Sequence, residues 1–236
     1  MAESQLLDPI RILHGPGHSV INDAVLIIEN QIIAFGQEAR DKATKLGLSV
    51  KSASKQLLAP CLVDPHSVLE EPISGISENL LSLRDSAAEA GYGQVALLPR
   101  SSTWRDRPER LQGFLNPQSD VVIHLWGSFS REGKGVELSP HSDLLQKGAV
   151  GLAEDDETPP IALLTRGLLL GEMHESPILI AARDINVQGN GIVREGVETL
   201  RSGLAPDPTA SETLPLGQLL ELQRQHPDRF IRLMNL

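Results

Sequence analysis

The sequence predicts an α/β fold in which a small β domain, residues 1–57, precedes a parallel sheet with helices, residues 58–236. Three observations carry this prediction: a hairpin pattern near the N-terminus, about six short apolar strands after residue 57, and helical patterns between those strands. Continuous apolar strands that alternate with helices are typical of a parallel sheet covered on both faces. The 40% hydrophobic content suffices for such a core, and the 3% aromatic content makes it an aliphatic one.

The N-terminal domain is predicted from two apolar runs between Asp23 and Gly36. They are joined by a tight turn at Glu29-Asn-Gln31, where asparagine tolerates the positive φ that a hairpin turn needs. Residues 6–13 are expected to form an earlier strand, and Gly15-Pro-Gly17 breaks the pattern after it.

The strand over residues 57–63 is expected to be buried, with the thiol of Cys61 inside it. It runs into a polar turn that carries Asp64, His66, Glu70 and Glu71. In an α/β barrel, catalytic residues lie at the carboxyl ends of the strands. This turn is therefore the first place where a functional site is expected.

The remaining elements follow in alternation. We expect strands over residues 94–98, 120–126, 148–152, 177–181 and 229–234, and helices over residues 77–90, 140–147 and 161–174. A further helix follows the capping-box pattern Thr209-Ala-Ser-Glu212. Since a closed barrel has eight strands, six leave two alternatives: an incomplete barrel, or a complete open sheet. An uncovered apolar edge predicts either a missing C-terminal part or a partner that covers it.

Composition argues against several classes of protein. The net charge is −10 and no Lys/Arg cluster is present, so no nucleic-acid partner is expected, and residues 105–110 are predicted to be a mixed-charge surface segment. No apolar run reaches the roughly 20 residues of a membrane span, and the N-terminus lacks a signal-peptide pattern. A single cysteine fits a reducing compartment. We therefore expect a cytoplasmic protein without a membrane partner.

Three stretches, in order along the chain, resemble the dihydroorotase family of the amidohydrolase superfamily. They are Leu62-Val-Asp-Pro-His66, Gly148-Ala-Val-Gly-Leu152, and the segment that runs from Arg194-Glu-Gly to Ala210-Ser-Glu212. The resemblance implies a TIM-type (β/α) barrel of the metallo-dependent hydrolase kind, here incomplete, with a small sandwich-like N-terminal domain. It also implies that the chain stops before the family's full length.

The family binds one or two zinc ions on imidazoles and carboxylates, and the metal activates a water that attacks a cyclic amide. By the resemblance, His66 and Glu154 are residual metal ligands, whereas Val68, Ala181 and Asn235 stand where the family has imidazoles. Two ligands are fewer than the three that catalytic zinc typically has. We therefore expect no cofactor and assign no catalytic residue, because the family's catalytic aspartate belongs to a later strand.

The substrate-binding positions also differ from the family pattern. Arg100 stands near the family's substrate-binding asparagine, and Glu70 stands at the position of its arginine. Arg100 and Arg183 are candidates for binding an anion together, such as a carboxylate or a phosphate. The alternative is that the two arginines pair with Glu70 or Asp184.

Simpler structural roles compete with the other site hypotheses. The ring of His66 is either a residual metal ligand or a group hydrogen-bonded to backbone at a strand end. The acidic run over residues 154–157 is either a cation site or a solvated acidic turn.

The resemblance implies a dihydroorotase-like protein that has lost catalysis and acts in pyrimidine biosynthesis as a structural partner of aspartate carbamoyltransferase, or as a homo-oligomer. One alternative is an active zinc-dependent cyclic amidohydrolase, such as a dihydroorotase, allantoinase or hydantoinase, with a rearranged site. Another is an anion-binding module that uses Arg100 and Arg183.

Overall fold

The computed structural model describes residues 4–72, 75–76, 78–111, 120–154 and 156–235. The chain forms two compact units, Met1–Cys61 and Leu62–Leu236. The start of the helix predicted at Ser77 lies outside the described residues. Within the part of the chain that the structure describes, no helix has the length and hydropathy needed to cross a membrane.

The first unit is a four-stranded sheet with one helix. Its elements are β1 (Gln5–Ile12), β2 (Ile21–Ile28), β3 (Gln31–Phe35), α1 (Gly36–Leu46) and β4 (Val50–Leu58). The strand order is β3-β2-β1-β4, in which β1 and β4 are parallel and the other neighbours are antiparallel.

The predicted hairpin is confirmed. Ile28 pairs with Gln31 across the turn, and Glu29 and Asn30 both have positive φ, 51° and 64°. Two consecutive residues of positive φ are what a two-residue hairpin turn requires, because this turn matches the twist of its strands.

Helix α1 was not predicted from the sequence. It buries only Ala39 and Ala43, which pack with Leu6, Ala24 and Leu26 of the sheet. The buried face of this helix consists of two small alanines, so the sequence has no stripe of large apolar residues that would predict the helix.

The second unit alternates strands and helices along its length. Its strands are β5 (Leu62–Ser67), β6 (Tyr92–Leu97), β7 (Val122–Leu125), β8 (Gly127–Ser128), β9 (Leu152–Ala153), β10 (Ile178–Ala181), β11 (Val193–Arg194), β12 (Pro206–Asp207) and β13 (Ile231–Met234). Its α-helices are α2 (Leu80–Glu89), α3 (His141–Gln146), α4 (Ile161–Leu170), α5 (Ile185–Gln188), α6 (Val197–Arg201) and α7 (Ala210–Gln225).

Six parallel strand positions form the sheet of this unit. One part has the order β5-β6-β7 and the other β13-β10-β9-β8, and every pairing in both is parallel. The parts are continuous through Trp126, which lies between β7 and β8 and donates its backbone N–H to Leu97 O at 3.0 Å. The predicted incomplete barrel of about six strands is therefore confirmed.

The two faces of this sheet are buried in different ways. Alternate residues of the strands pack with helices α2, α4 and α7 in one large cluster. The residues between them point to the opposite, inner face, as alternation along a strand requires. They form a second cluster, called the inner cluster: Ala96, Leu98, Trp126, Ala153, Leu179, Ala181 and Met234. Trp126 Nε1 also donates to Pro65 O at 2.8 Å, so its indole connects the third strand position to the first.

The prediction of one buried strand over residues 57–63 is wrong. Strand β4 ends at Leu58 in the first unit, and β5 begins at Leu62 in the second. Leu62 and Val63 are 53% and 54% exposed, and Cys61 is exposed rather than buried. The apolar run spans the junction of two units, and apolar character alone does not show which sheet each residue joins. Strand β5 is moreover the terminal strand of its three-stranded part.

The predicted capping box of α7 is also wrong, although the helix itself is present. Thr209 has helical φ and ψ, and its side chain does not cap the helix. Its backbone N–H donates to Glu195 Oε1 at 2.7 Å, and Ser211 Oγ donates to Asp207 Oδ1 at 2.7 Å. A capping box does occur at α2, where Asn79 and Ser82 bond reciprocally.

The predicted surface segment over residues 105–110 is partly buried. Arg105 and Asp106 are each 1% exposed, and burial lowers the pKa of Arg105 to about 10. Asp106 accepts hydrogen bonds from Arg110 Nη1 at 2.6 Å and from the backbone N–H of Glu132 at 3.2 Å. The segment, which ends in a 3-10 helix (Pro108–Leu111), therefore packs against residues that follow β8, while Arg107 and Glu109 remain exposed.

Candidate functional site

The residues singled out from the sequence lie at one edge of the sheet, because parallel strands end on the same side. They are His66 and Val68 at the end of β5, Arg100 after β6, Glu154 after β9, Ala181 and Arg183 at the end of β10, and Asn235 after β13. This is the edge where α/β barrels place their chemistry.

A polar network joins four of these strand ends. Arg100 Nη1 donates to Asp156 Oδ2 at 2.8 Å, and Arg100 Nη2 donates to Glu70 Oε1 at 3.1 Å. Asn235 Nδ2 donates to Asp156 Oδ1 at 3.2 Å. We call Glu70, Arg100, Asp156 and Asn235 the strand-end network. It links the segments that follow β5, β6, β9 and β13, and it confirms the predicted pairing of Arg100 with Glu70.

The loop that carries Asp156 is held by hydrogen bonds from Thr158 to main-chain carbonyls at the end of β10. Thr158 N–H donates to Arg183 O at 2.8 Å, and Thr158 Oγ1 donates to Ala181 O at 2.7 Å. Asn235 has a φ of 56°, a conformation that asparagine tolerates better than most residues. Asp156 and Asn235 thus meet because the main chain around each of them is held in place, in addition to the hydrogen bond between their side chains.

Glu154 does not lie in a solvated turn. It is 2% exposed, and its Oε1 accepts a hydrogen bond from Ser130 Oγ at 2.9 Å. Ser130 Oγ in turn accepts from Gly135 N–H at 2.9 Å. Glu154 therefore connects the end of β9 to the loop after β8. Its neighbour Asp155, part of the same predicted acidic run, lies outside the described residues.

Arg183 occupies a different place from Arg100. Its Nε donates to Gln188 Oε1 at 2.8 Å, while Asp184 Oδ1 caps α5 by accepting from two backbone N–H groups. Arg183 and Glu154 line one cavity of about 430 Å³, and Arg100 is not among the described residues around it. The structure therefore does not place both arginines among the described residues around this cavity.

His66 is half-buried within β5. Its backbone N–H donates to Asp64 Oδ1 at 3.1 Å, which orders the turn. The neighbouring carbonyl of Pro65 is the acceptor of the Trp126 indole. His66 thus lies beside the inner cluster, at the carboxyl end of the first strand position.

The side chains that the structure describes at this edge do not fit a catalytic zinc centre. Among the described residues, no three His, Cys, Asp or Glu side chains come together as metal ligands. Val68 presents only hydrocarbon, and Ala181 is 1% exposed inside the inner cluster. Catalytic zinc typically has three protein ligands and one open position, and this donor set cannot supply them.

Two residues of the site were missed from the sequence. Asp156 accepts hydrogen bonds from two strand ends, whereas the sequence pattern marks it only as one member of an acidic run. Trp126 packs in the inner cluster of the sheet, whereas the sequence pattern marks it only as the end of a strand. A useful signal was available for Asp156, since it lies three residues after β9, within reach of the other strand ends.

Curated relatives were found by sequence comparison. A probable dihydroorotase-like protein of Synechocystis sp. is 32% identical over 203 residues, which cover 75% of this chain and 46% of that protein. The dihydroorotase of Ruminiclostridium cellulolyticum is 27% identical over 191 residues, which cover 78% of this chain and 44% of that protein.

The chain belongs to the dihydroorotase-like amidohydrolases. It spans about half the length of the curated relatives it matches. No protein-family model matches the chain.

Solved structures agree with this dihydroorotase-like fold. The L-hydantoinase (dihydropyrimidinase) of Arthrobacter aurescens superposes with a TM-score of 0.67 at 15% identity, over 97% of this chain and 51% of that one. The D-hydantoinase of a Bacillus sp. superposes with a TM-score of 0.64 at 12% identity, over 96% and 51%. At such identities the likeness concerns the fold alone.

Proposed function

We propose that this dihydroorotase-like protein does not hydrolyse cyclic amides and serves as a structural component in pyrimidine biosynthesis. The observation that carries the proposal is Arg100, whose guanidinium lies between Glu70 and Asp156 at the edge where the family's metal would bind. An arginine is always protonated, so a fixed positive charge stands at this edge.

The electrostatics of this edge disfavour a divalent cation. The carboxylates of Glu70 and Asp156 both form ion pairs with Arg100, so they are already engaged by it. A metal would have to compete with the guanidinium for these oxygens and would find hydrocarbon at Val68 and Ala181. Without the metal, no group described at this edge activates a water for attack on an amide.

The activity is tested with purified protein supplied with zinc. We expect zinc to remain well below one equivalent per chain, with no interconversion of dihydroorotate and carbamoyl aspartate above buffer. The dihydroorotase of Ruminiclostridium cellulolyticum, prepared and assayed in the same way, is the positive control. Near-stoichiometric zinc together with turnover would overturn the proposal and establish a rearranged active site.

For the structural role we propose aspartate carbamoyltransferase as the partner. The support is that the barrel core is retained while ligand positions at separate strand ends carry other residues. Selection for a partner surface preserves a fold without preserving its chemistry.

The partnership is tested by light scattering after size-exclusion chromatography, with the two proteins run alone and mixed. A complex of defined mass supports the proposal. A self-associated species that is unchanged by aspartate carbamoyltransferase would replace it with a homo-oligomeric role, and two separate unchanged peaks would reject the partnership.

A further inference from the structure

The strand-end network has a cation at its centre and acids from separate parts of the chain around it. The Arg100–Glu70 contact spans 30 residues of sequence, the Arg100–Asp156 contact 56, and the Asn235–Asp156 contact 79. The two oxygens of Asp156 accept from different strand ends, Oδ2 from Arg100 and Oδ1 from Asn235. Each contact therefore connects loops that neighbour one another only in the folded barrel.

We propose that Arg100 acts as a cation supplied by the chain itself, and that its ion pairs hold the strand ends of this barrel together. Its guanidinium holds the segments after β5 and β6 to Asp156, and Asp156 extends the tie to the end of β13. The planar guanidinium suits this task, because its separate N–H groups can donate to two carboxylates at fixed angles. A bound metal ties ligands from separate strands by the same electrostatic principle.

The surroundings of Arg100 strengthen this assignment. Its side chain is 37% exposed, and the side chains of Asp156 and Glu70 are 48% and 68% exposed, so the pair with Asp156 is the better shielded of the two. The loop that carries Asp156 is anchored to β10 through Thr158, and that anchoring lowers the entropy cost of holding the pair. By contrast, the pair of Arg224 with Glu221 lies within one turn of α7 and ties no separate elements.

If Arg100 holds the strand ends together, removing its charge should make the stability of the chain depend on added divalent cations. Arg100→Gln removes the positive charge that both Glu70 and Asp156 contact, and it leaves two carboxylates at one edge. Oxygen ligands of this kind attract Ca²⁺ and Mg²⁺. A divalent cation should therefore partly replace the guanidinium in the variant, whereas the wild-type chain has no need of it.

The experiment compares thermal unfolding of the wild-type chain, Arg100→Gln and the matched charge control Arg224→Gln, each with and without millimolar CaCl₂. We expect Arg100→Gln to lower Tm by about 2–4 °C more than Arg224→Gln. We also expect CaCl₂ to recover part of that loss in Arg100→Gln only. Sodium chloride at equal ionic strength controls for screening.

Equal Tm values for Arg100→Gln and Arg224→Gln would overturn the proposal, and so would a CaCl₂ effect of equal size in wild type and variant. If Arg100→Gln does not fold, Asp156→Asn and Arg100→Lys are compared with Arg224→Gln instead. Asp156→Asn should then lower Tm by more than the control, and Arg100→Lys by less than Asp156→Asn.

The stabilising role of Arg100 goes beyond the proposed function, and either proposal can be refuted without the other. If Arg100 contributes no stability, Val68, Ala181 and Asn235 still offer no imidazole at their three positions. Conversely, turnover by the purified protein would reject the proposed function and leave the Tm comparison to be judged by itself.

Discussion

Val68 and Ala181 stand, by the resemblance, at positions where the family has imidazoles, and the structure places them in different surroundings. Val68 is 40% exposed after β5, whereas Ala181 is 1% exposed and packs with Leu179 and Met234 in the inner cluster. The first position is thus open to solvent, and the second is closed by packing. At Ala181 the inner cluster has taken the space that a ligand side chain would need.

Restoring histidine at these two positions should therefore have different effects on stability. We expect Ala181→His to lower the free energy of unfolding by about 2–4 kcal/mol, since the imidazole must be fitted among aliphatic side chains. Val68→His, on exposed surface, should change it by less than about 0.5 kcal/mol. Denaturant unfolding measures both. Equal midpoints for the two variants would show that the inner cluster leaves room at Ala181.

At the scale of elements, α3 is anchored by its first residue. His141 is 1% exposed, its Nε2 lies 2.8 Å from Phe129 O, and its ring lies 4.9 Å from that of Phe129. Burial, the largest influence, lowers the pKa of His141, while the Phe129 carbonyl and Glu172 oppose that shift. The helix is therefore joined to the loop after β8 through a neutral imidazole.

This burial predicts a loss of stability in mild acid. The unfolded chain takes up a proton on His141 near pH 6.5, and the folded chain does so only at lower pH. Stability from this group is complete above about pH 6.5 and falls as the pH drops towards the folded pKa.

The free energy of unfolding, measured between pH 8 and pH 5, should fall less steeply in His141→Gln than in wild type. The control His18→Gln replaces an exposed histidine and should keep the wild-type slope. A slope that is unchanged in His141→Gln would contradict the assignment of this pH dependence to His141.

At the scale of the whole molecule, the strands of the barrel unit differ in how many neighbours they pair with and in how deeply they are buried. Strand β10 pairs with β9 on one side and β13 on the other, and all four of its residues are buried. Strand β5 is the terminal strand of its part of the sheet, and Leu62 and Val63 are about half exposed. The cooperative core of this unit therefore centres on β9 and β10.

Hydrogen–deuterium exchange should report this difference directly. Amides of β10 should exchange slowest in the second unit, because opening them requires the central part of the sheet to open. Amides of β5 should exchange faster by a factor of at least about 10, since a difference of 1.4 kcal/mol in opening free energy already has that effect. Equal protection of β5 and β10 would mean that β5 is covered in solution, as docking of a partner would achieve.

Features that depend on residue identity and short-range pattern can be read from the amino-acid sequence alone. The hairpin at Asn30 follows from one residue that tolerates positive φ between two apolar runs. The alternation of strands and helices after residue 57 follows from periodicity, which is a local property. The chemistry of Val68 and Ala181 is equally readable, because a hydrocarbon side chain has no lone pair to donate to a metal.

Which residues far apart in the sequence come into contact depends on the tertiary structure. The pairing of Arg100 with Glu70 was expected, but its contact with Asp156 depends on how two loops 56 residues apart run past the strand ends. Likewise, the apolar run over residues 57–63 is divided between two sheets, which leaves Cys61 exposed. Periodicity is set within a few residues, whereas sheet membership and strand-end contacts are set by the packing of the whole unit, and for that reason only the fold could reveal the network around Arg100.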